Sequence, residues 1–162
     1  RTRIRLEGLS AYAVISILLM SSALRLYTSV PKKIRDPDEG KDAKIENAVT
    51  VAFTLSSIIC IISGISTSII FSLLGLYSKT ALGMGKDEAF VEFFTAMESI
   101  RRIGFVSMIV SIVSLKASFA LSPFLYFKGK TRYALSGLAV ALSLGSWMAW
   151  STIVSAAQIL YS

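Results

Sequence analysis

The 162-residue sequence contains no histidine and only one cysteine, Cys60. Without histidine, the chain lacks the commonest metal ligand, the usual haem ligand and the usual proton carrier near neutral pH. A single cysteine also excludes a disulfide within the chain. The sequence has no glycine-rich phosphate loop and no nucleophile beside a recognisable base. We therefore expect no catalytic residue and no metal site, and the sequence identifies no cofactor-binding residue.

Charged residues are missing from long parts of the chain. Residues 48–78 carry no charged side chain, and neither do residues 133–162. Hydrophobic residues make up 54% of the sequence, and its mean hydropathy is +0.65, whereas roughly 45–50% is usual for soluble domains. Because about 20 helical residues cross a hydrocarbon core about 30 Å thick, these runs predict an all-α, multi-pass integral membrane protein.

Four apolar segments are long enough to span a bilayer. They comprise residues 9–30, 48–77, 103–127 and 133–161. The basic link "KGKTR" between the last two is too short to cross a membrane, so we expect the third and fourth helices to be antiparallel neighbours. The prediction is one domain over residues 1–162, with four transmembrane helices in an antiparallel bundle. Lysine and arginine are almost equally divided between the two sides, so the positive-inside rule predicts no orientation.

The link before the third span is expected to contain a short amphipathic helix, over about residues 86–102. It follows a glycine-containing break, "SKTALGMG". Helical spacing places Phe90, Phe93, Phe94 and Met97 on one side and acidic residues on the other. Two interpretations have equal weight: the phenylalanines lie in the membrane interface, or they pack on neighbouring helices or a partner protein.

Small residues recur at every fourth position in two of the spans. The second span has Ala52, Ser56, Cys60, Gly64, Ser68 and Ser72, and the fourth has Gly137, Ala141, Gly145 and Ala149. Small side chains at this spacing allow the backbones of membrane helices to approach closely. We interpret both stripes as helix-packing or partner interfaces, although most such positions normally face a helix of the same chain. A step of four residues drifts by about 40° on a straight helix, so the six positions of the second span cannot all face one neighbour.

Two basic residues lie within the predicted spans. Lys116 is near the middle of the third, where a lysine costs roughly 2.5–3.5 kcal/mol of insertion free energy. None of the four spans contains an acidic residue, so the ammonium group must contact hydroxyl or carbonyl groups, water, a lipid or cofactor acceptor, or an acid on another protein. Arg25 lies near the end of the first span, where its side chain can extend to the interface.

These features favour a non-catalytic tetraspan protein that acts as a structural, accessory or scaffold subunit of a larger membrane complex. Expected partners are other integral membrane proteins, further copies of the chain and lipids, with lipid or pigment between helices but no nucleic acid. An energy-transducing membrane, such as one holding a thylakoid supercomplex, is a natural location for such a subunit. The alternative is an oligomeric channel or transporter with Lys116 in a polar path.

Overall fold

The computed structural model describes the backbone of residues 2–32 and 41–158. These residues form five helices: α1 (Thr2–Ser29), α2 (Lys41–Gly83), α3 (Asp87–Ala96), α4 (Glu98–Tyr126) and α5 (Lys130–Gln158). No strand occurs among them. The final residues of the predicted fourth span, 159–161, lie outside the described part of the chain.

Four of the five helices are long and apolar enough to cross a membrane, so the predicted number of four is confirmed. They are α1, α2, α4 and α5. The 43 residues of α2 extend for about 65 Å at 1.5 Å per residue, roughly twice the thickness of a hydrocarbon core. α2 begins at Lys41, before the uncharged run, because charged residues are compatible with helix outside the hydrocarbon.

Two of the links between helices contain a glycine with positive φ. Gly85 has φ +68° between α2 and α3, and Gly129 has φ +71° between α4 and α5. Glycine adopts this left-handed region without the steric penalty that a Cβ atom imposes. Both turns lie in the links that the sequence predicts as breaks.

The predicted linker helix over about 86–102 is divided at Met97. Its first part is α3, and its second part is the start of α4. Met97 has φ −89° and ψ 12°, outside the regular helical region, although its N–H still bonds to the carbonyl of Phe93. Arg101 N–H bonds in turn to the Met97 carbonyl at 3.0 Å, so hydrogen bonds of helical spacing continue across the break at Met97.

The structure divides into two units, and α2 and α4 each contribute to both. Unit 1 consists of Arg1–Ser29 and Thr54–Leu115, and unit 2 of Val30–Phe53 and Lys116–Ser162. Unit 1 contains α1, most of α2, α3 and the first part of α4. Unit 2 contains the start of α2, the end of α4 and α5.

The buried positions of unit 1 follow a seven-residue pattern. In α2 they include Ser57, Cys60, Gly64, Thr67, Phe71, Leu74 and Ser78, and in α4 they include Gly104, Met108, Ser111 and Leu115. The steps alternate between three and four residues, a mean of 3.5. This spacing is the seam of left-handed helix packing, which is the commonest arrangement of transmembrane helices. The seam determines which small residues become buried.

Candidate functional sites in the membrane-spanning helices

One close contact between helices of unit 1 surrounds Gly64. A Cβ atom at this position would lie 3.2 Å from the Cβ of Met20, 3.3 Å from the Ser16 carbonyl oxygen and 3.5 Å from the Ser111 Oγ. Helices α1 and α4 therefore both approach the α2 backbone at this glycine. A side chain here would displace at least one of the two helices.

A second close contact involves Gly104 on α4. A Cβ atom there would lie 3.0 Å from Ile70 Cγ2 and 3.1 Å from Phe71 Cζ. The sequence reasoning did not select Gly104, since it lies outside the two four-residue stripes. Its position in the seven-residue seam of α4, four residues before Met108, is the signal that identifies it.

Polar side chains join α2 to α4 within this buried region. Ser111 Oγ donates to the Cys60 carbonyl oxygen at 3.0 Å and also lies 3.3 Å from Cys60 Sγ. Thr67 Oγ1 lies 2.8 Å from the Ser63 carbonyl of its own helix and 3.3 Å from the Gly104 carbonyl. Hydroxyls that use helix carbonyls as acceptors are satisfied inside a membrane without a charged partner.

The six small residues predicted as a stripe in the second span have different environments. Cys60 and Gly64 are buried, Ser56 and Ser68 are half-buried, and Ala52 and Ser72 are exposed. The burial is greatest in the middle and falls toward both ends, as the 40° drift of a four-residue step requires.

The phenylalanines of α3 contact the other helices of unit 1. Phe90 is buried, and Phe93, Phe94 and Met97 are half-buried. The last three pack against one apolar cluster, which we call the aromatic cluster; it is built around Leu9, Ala13, Phe71 and Leu74. On α4, the Arg101 guanidinium lies 3.8 Å from the centre of the Phe94 ring, a cation–π contact.

Helix α5 is almost uncovered by comparison with α2. In its most apolar window only 6% of the residues are buried, against 33% in α2. A Cβ atom at Gly137 or Gly145 would meet nothing within 4 Å. Ala141 and Ala149 are exposed as well, so the whole predicted stripe of the fourth span is open.

This open stripe lies on one side of α5, and the covered positions lie on the other. Ser136 is buried, and Arg132, Leu135, Ala139 and Ser143 are half-buried. At 3.6 residues per turn, Arg132, Ser136, Ala139 and Ser143 lie nearly opposite the four small residues, and Leu135 lies between the two sides. Beyond Ser143, every described side chain of α5 is exposed. They include Trp147 and Trp150, whose rings pack edge to face with centres 5.0 Å apart.

Lys116 on α4 contacts α5 at Ser146, beyond the covered part of that helix. Its Nζ donates to Ser146 Oγ at 2.6 Å, and Ser146 Oγ donates to the Ser143 carbonyl at 2.9 Å. Ser143 Oγ in turn donates to the Ala139 carbonyl. The ammonium group thus joins a short line of hydroxyl and carbonyl groups. Arg25 is exposed on α1.

Arg132, near the start of α5, is the best-connected basic residue of unit 2. Its guanidinium lies 3.3 Å from Glu46 Oε1 and 3.9 Å from Asp42 Oδ1. It also donates to the Tyr133 hydroxyl at 2.9 Å and lies over the rings of Tyr133 and Phe124. The side chain is only 11% exposed. Sequence reasoning missed this group because the two acids are separated from Arg132 by two apolar spans.

A cavity of about 230 Å³ lies where several helices of unit 2 end. Its walls are Pro31, Glu46, Thr50, Phe124, Leu125, Tyr126, Phe127 and Lys128. One carboxylate, one ammonium group, one threonine hydroxyl and three aromatic rings therefore meet at the level where the apolar runs stop. Among the described residues, no three acidic or cysteine side chains gather in a way that would hold a metal ion.

No protein-family model, curated protein or solved structure matches this chain.

Proposed function

We propose that this chain is a non-catalytic tetraspan subunit that docks to another integral membrane protein, or to a second copy of itself, through the open face of α5. The observation that carries the proposal is the environment of the small-residue stripe of α5. Four small residues at helical spacing form a smooth groove opposite the covered side of the helix. Membrane helices associate by close backbone approach at such surfaces.

The proposed arrangement of the helices is an antiparallel bundle with α3 as its amphipathic linker helix. Contacts between α1 and α2 in unit 1 support it, because Tyr12 meets Phe71 whereas Ala23 lies with Cys60. Later residues of α1 therefore contact earlier residues of α2, as expected for antiparallel helices. In unit 2, Lys116 contacts Ser146 whereas Phe124 contacts Tyr133, and this order supports the same relation for α4 and α5.

The amphipathic character of α3 has similar support. Phe93 and Phe94 pack against the aromatic cluster, whereas Glu88 and Glu92 are exposed. Contact with helices of its own chain favours the second of the two interpretations of this face. In that arrangement α3 stabilises unit 1, and α5 remains the surface available for a partner.

Assembly of the full chain tests the docking proposal. We expect Gly145→Leu to fill the groove of α5 and to lower the fraction of protein in a larger complex about tenfold, the change that about 1.4 kcal/mol of binding free energy produces. The measurement is native electrophoresis and mass determination after extraction in mild detergent. Ser151→Leu is the matched control, since Ser151 is also small and exposed on α5 but lies away from the stripe.

Two results would contradict the docking proposal. One is a wild-type chain that migrates alone and without a protein partner in mild detergent. The other is an equal effect of Gly145→Leu and Ser151→Leu on assembly.

The alternative function is an oligomeric channel or transporter. The line from Lys116 through Ser146 to Ser143 supports it, since polar groups at membrane depth often mark an ion path. If this function is correct, purified protein in liposomes will conduct ions, and Lys116→Ala will change that flux by tenfold or more. Absence of flux from wild-type liposomes would exclude the alternative and leave the docking function.

A further inference from the structure

We propose that Lys116 forms an ion pair with a different protein, whose transmembrane helix lies against α5 and carries an aspartate or glutamate near its middle. The inference rests on the docking function proposed above and names the chemistry of the docked partner. It depends on the depth of the Lys116 ammonium group, on its unused hydrogen-bond donors and on the exposed part of α5 beside it.

The two helices around Lys116 both place its ammonium group near the middle of the membrane. On α4, Lys116 is the single charged residue between Ile103 and Phe127, and it lies about 16 Å from Phe127 at 1.5 Å per residue. On α5, its Nζ contacts Ser146, which is about 20 Å from Tyr133 along the helix axis, within a run that carries no charge. A lysine side chain that extended to the interface would contact groups near an end of these runs instead.

The ammonium group of Lys116 has donors to spare. It can donate three hydrogen bonds, and one of them goes to Ser146 Oγ at 2.6 Å. In the described part of the chain, no carboxylate forms an ion pair with it. Charged side chains at membrane depth normally pair with an opposite charge or with backbone carbonyls, and the attraction between charges is strong where the dielectric constant is low. A carboxylate is therefore the acceptor that best completes this contact.

Neither a second copy of this chain nor a phospholipid supplies an anionic group at the required depth. All ten acidic residues of the sequence lie outside the four apolar segments, so another copy would present none of them to Lys116. A phospholipid phosphate lies in the headgroup region, roughly half of the 30 Å hydrocarbon thickness away. We therefore assign the carboxylate to an acidic residue within a transmembrane helix of a different protein.

The exposed part of α5 gives such a helix access to Lys116. Each four-residue step of the small-residue stripe turns by about 40°, so the stripe turns by about 120° from Gly137 to Ala149. Ser146 lies about 60° further round the helix in the same sense. Ser146 and Trp150 are both exposed. A partner helix that follows the stripe therefore approaches Ser146, and with it the Lys116 ammonium group, over an exposed surface.

Assembly of the full chain tests the role of the charge. Lys116→Met keeps an unbranched side chain but removes the ammonium group, and we expect the fraction of protein in the larger complex to fall about tenfold, because the partner's carboxylate is left unpaired. Lys116→Arg retains the charge and should assemble nearly as well as the wild type. Arg25→Met is the matched control, since Arg25 is the other basic residue within a span and is exposed on α1. It should leave assembly unchanged in native electrophoresis.

Unfolding of the same variant separates a partner contact from a role within the chain. Lys116→Met removes a charge from the hydrocarbon region, so we expect the isolated chain in mixed micelles to unfold at the same or a higher proportion of denaturing detergent. If Lys116 acted only by holding α5 through Ser146, the variant would unfold at a lower proportion. A lower unfolding midpoint together with reduced assembly would overturn the proposal.

Photocrosslinking from Trp150 identifies the partner's residue. In the full chain, a benzophenone-containing amino acid replaces Trp150, and mass spectrometry identifies the linked peptide. We expect an apolar segment of a different protein that contains one aspartate or glutamate near its middle. Crosslinks only to lipid, to a second copy of this chain or to a segment without an acidic residue would contradict the inference.

Exchange of the two charges then tests the ion pair directly. Lys116→Asp should abolish assembly, and replacement of the partner's acidic residue by lysine should restore most of it. No recovery in the exchanged pair would rule out a direct contact between the two charges.

Two variants distinguish this inference from the docking function on which it rests. If Gly145→Leu disrupts the complex but Lys116→Met does not, the docking function stands and the ion pair is wrong. A wild-type chain without any protein partner in mild detergent would contradict both.

Discussion

Helices α2 and α5 share a pattern of small residues, but the pattern is mostly covered in α2 and exposed in α5. Both have small residues at every fourth position, yet Gly64 is enclosed by α1 and α4, whereas Gly137 and Gly145 have no atom near a potential Cβ. The sequence around each stripe explains the difference. In α2 the buried seam also contains Thr67, Phe71 and Leu74 at alternating steps of three and four. In α5 the corresponding seam is covered only from Arg132 to Ser143.

Small residues in these helices have two different environments. Where small residues coincide with a seven-residue seam, they bring helices of the same chain together. Where they lie opposite the covered side of their helix, as in α5, they stay exposed. A stripe of small residues by itself therefore indicates close packing but not the identity of the neighbour.

Filling the glycines should give the largest difference between the two helices. Gly64→Leu should lower the free energy of unfolding by about 2–3 kcal/mol, because overpacking a close contact forces neighbouring backbones apart. Gly145→Leu should change it by less than about 0.5 kcal/mol, as is usual for exposed positions. Unfolding of the full chain in mixed micelles measures both values. An equal loss in the two variants would show that α5 is covered within the isolated chain.

Removing a hydroxyl should give a smaller difference of the same kind. Thr67→Val deletes a fully buried hydroxyl that lies 3.3 Å from the Gly104 carbonyl, and we expect a loss of about 0.6 kcal/mol, the average for hydrogen bonds between membrane helices. Thr152→Val deletes an exposed hydroxyl that bonds only to Met148 of its own helix, so its effect on unfolding should be close to zero.

The two threonine variants are measured in the same micelle system as the glycine variants. If Thr152→Val destabilised the chain more than Thr67→Val, the hydrogen bond between α2 and α4 would contribute little. The contacts at Gly64 and Gly104 would then account for the association of these helices.

Several elements could be predicted from the sequence because their causes are local. Long uncharged runs predict the four candidate spans, since a charge at the membrane centre is costly. The turns at Gly85 and Gly129 follow from glycine in short polar links. The division of the linker helix at Met97 could not be predicted, because the residues around it are all compatible with helix and Met97 packs against the aromatic cluster, which is built from distant residues.

Parts of the candidate sites needed information from distant residues. Arg132 is separated in sequence from Asp42 and Glu46 by more than eighty positions, and no local pattern indicates that they meet. Lys116 was visible as an unusual charge within a span, but its contact with Ser146 depends on the register between α4 and α5. The seven-residue seam of α2 was present in the sequence and would have identified Thr67.

The amino-acid sequence by itself determined that this protein has four helices able to cross a membrane, because hydrophobicity, span length and turn formation are properties of contiguous residues. Only the tertiary structure decided which small residues are enclosed and which remain open, and which charges line the cavity. The physical reason is that lipid surrounds every apolar helix equally well. The choice of neighbour therefore depends on the fit between surfaces that are far apart in the chain.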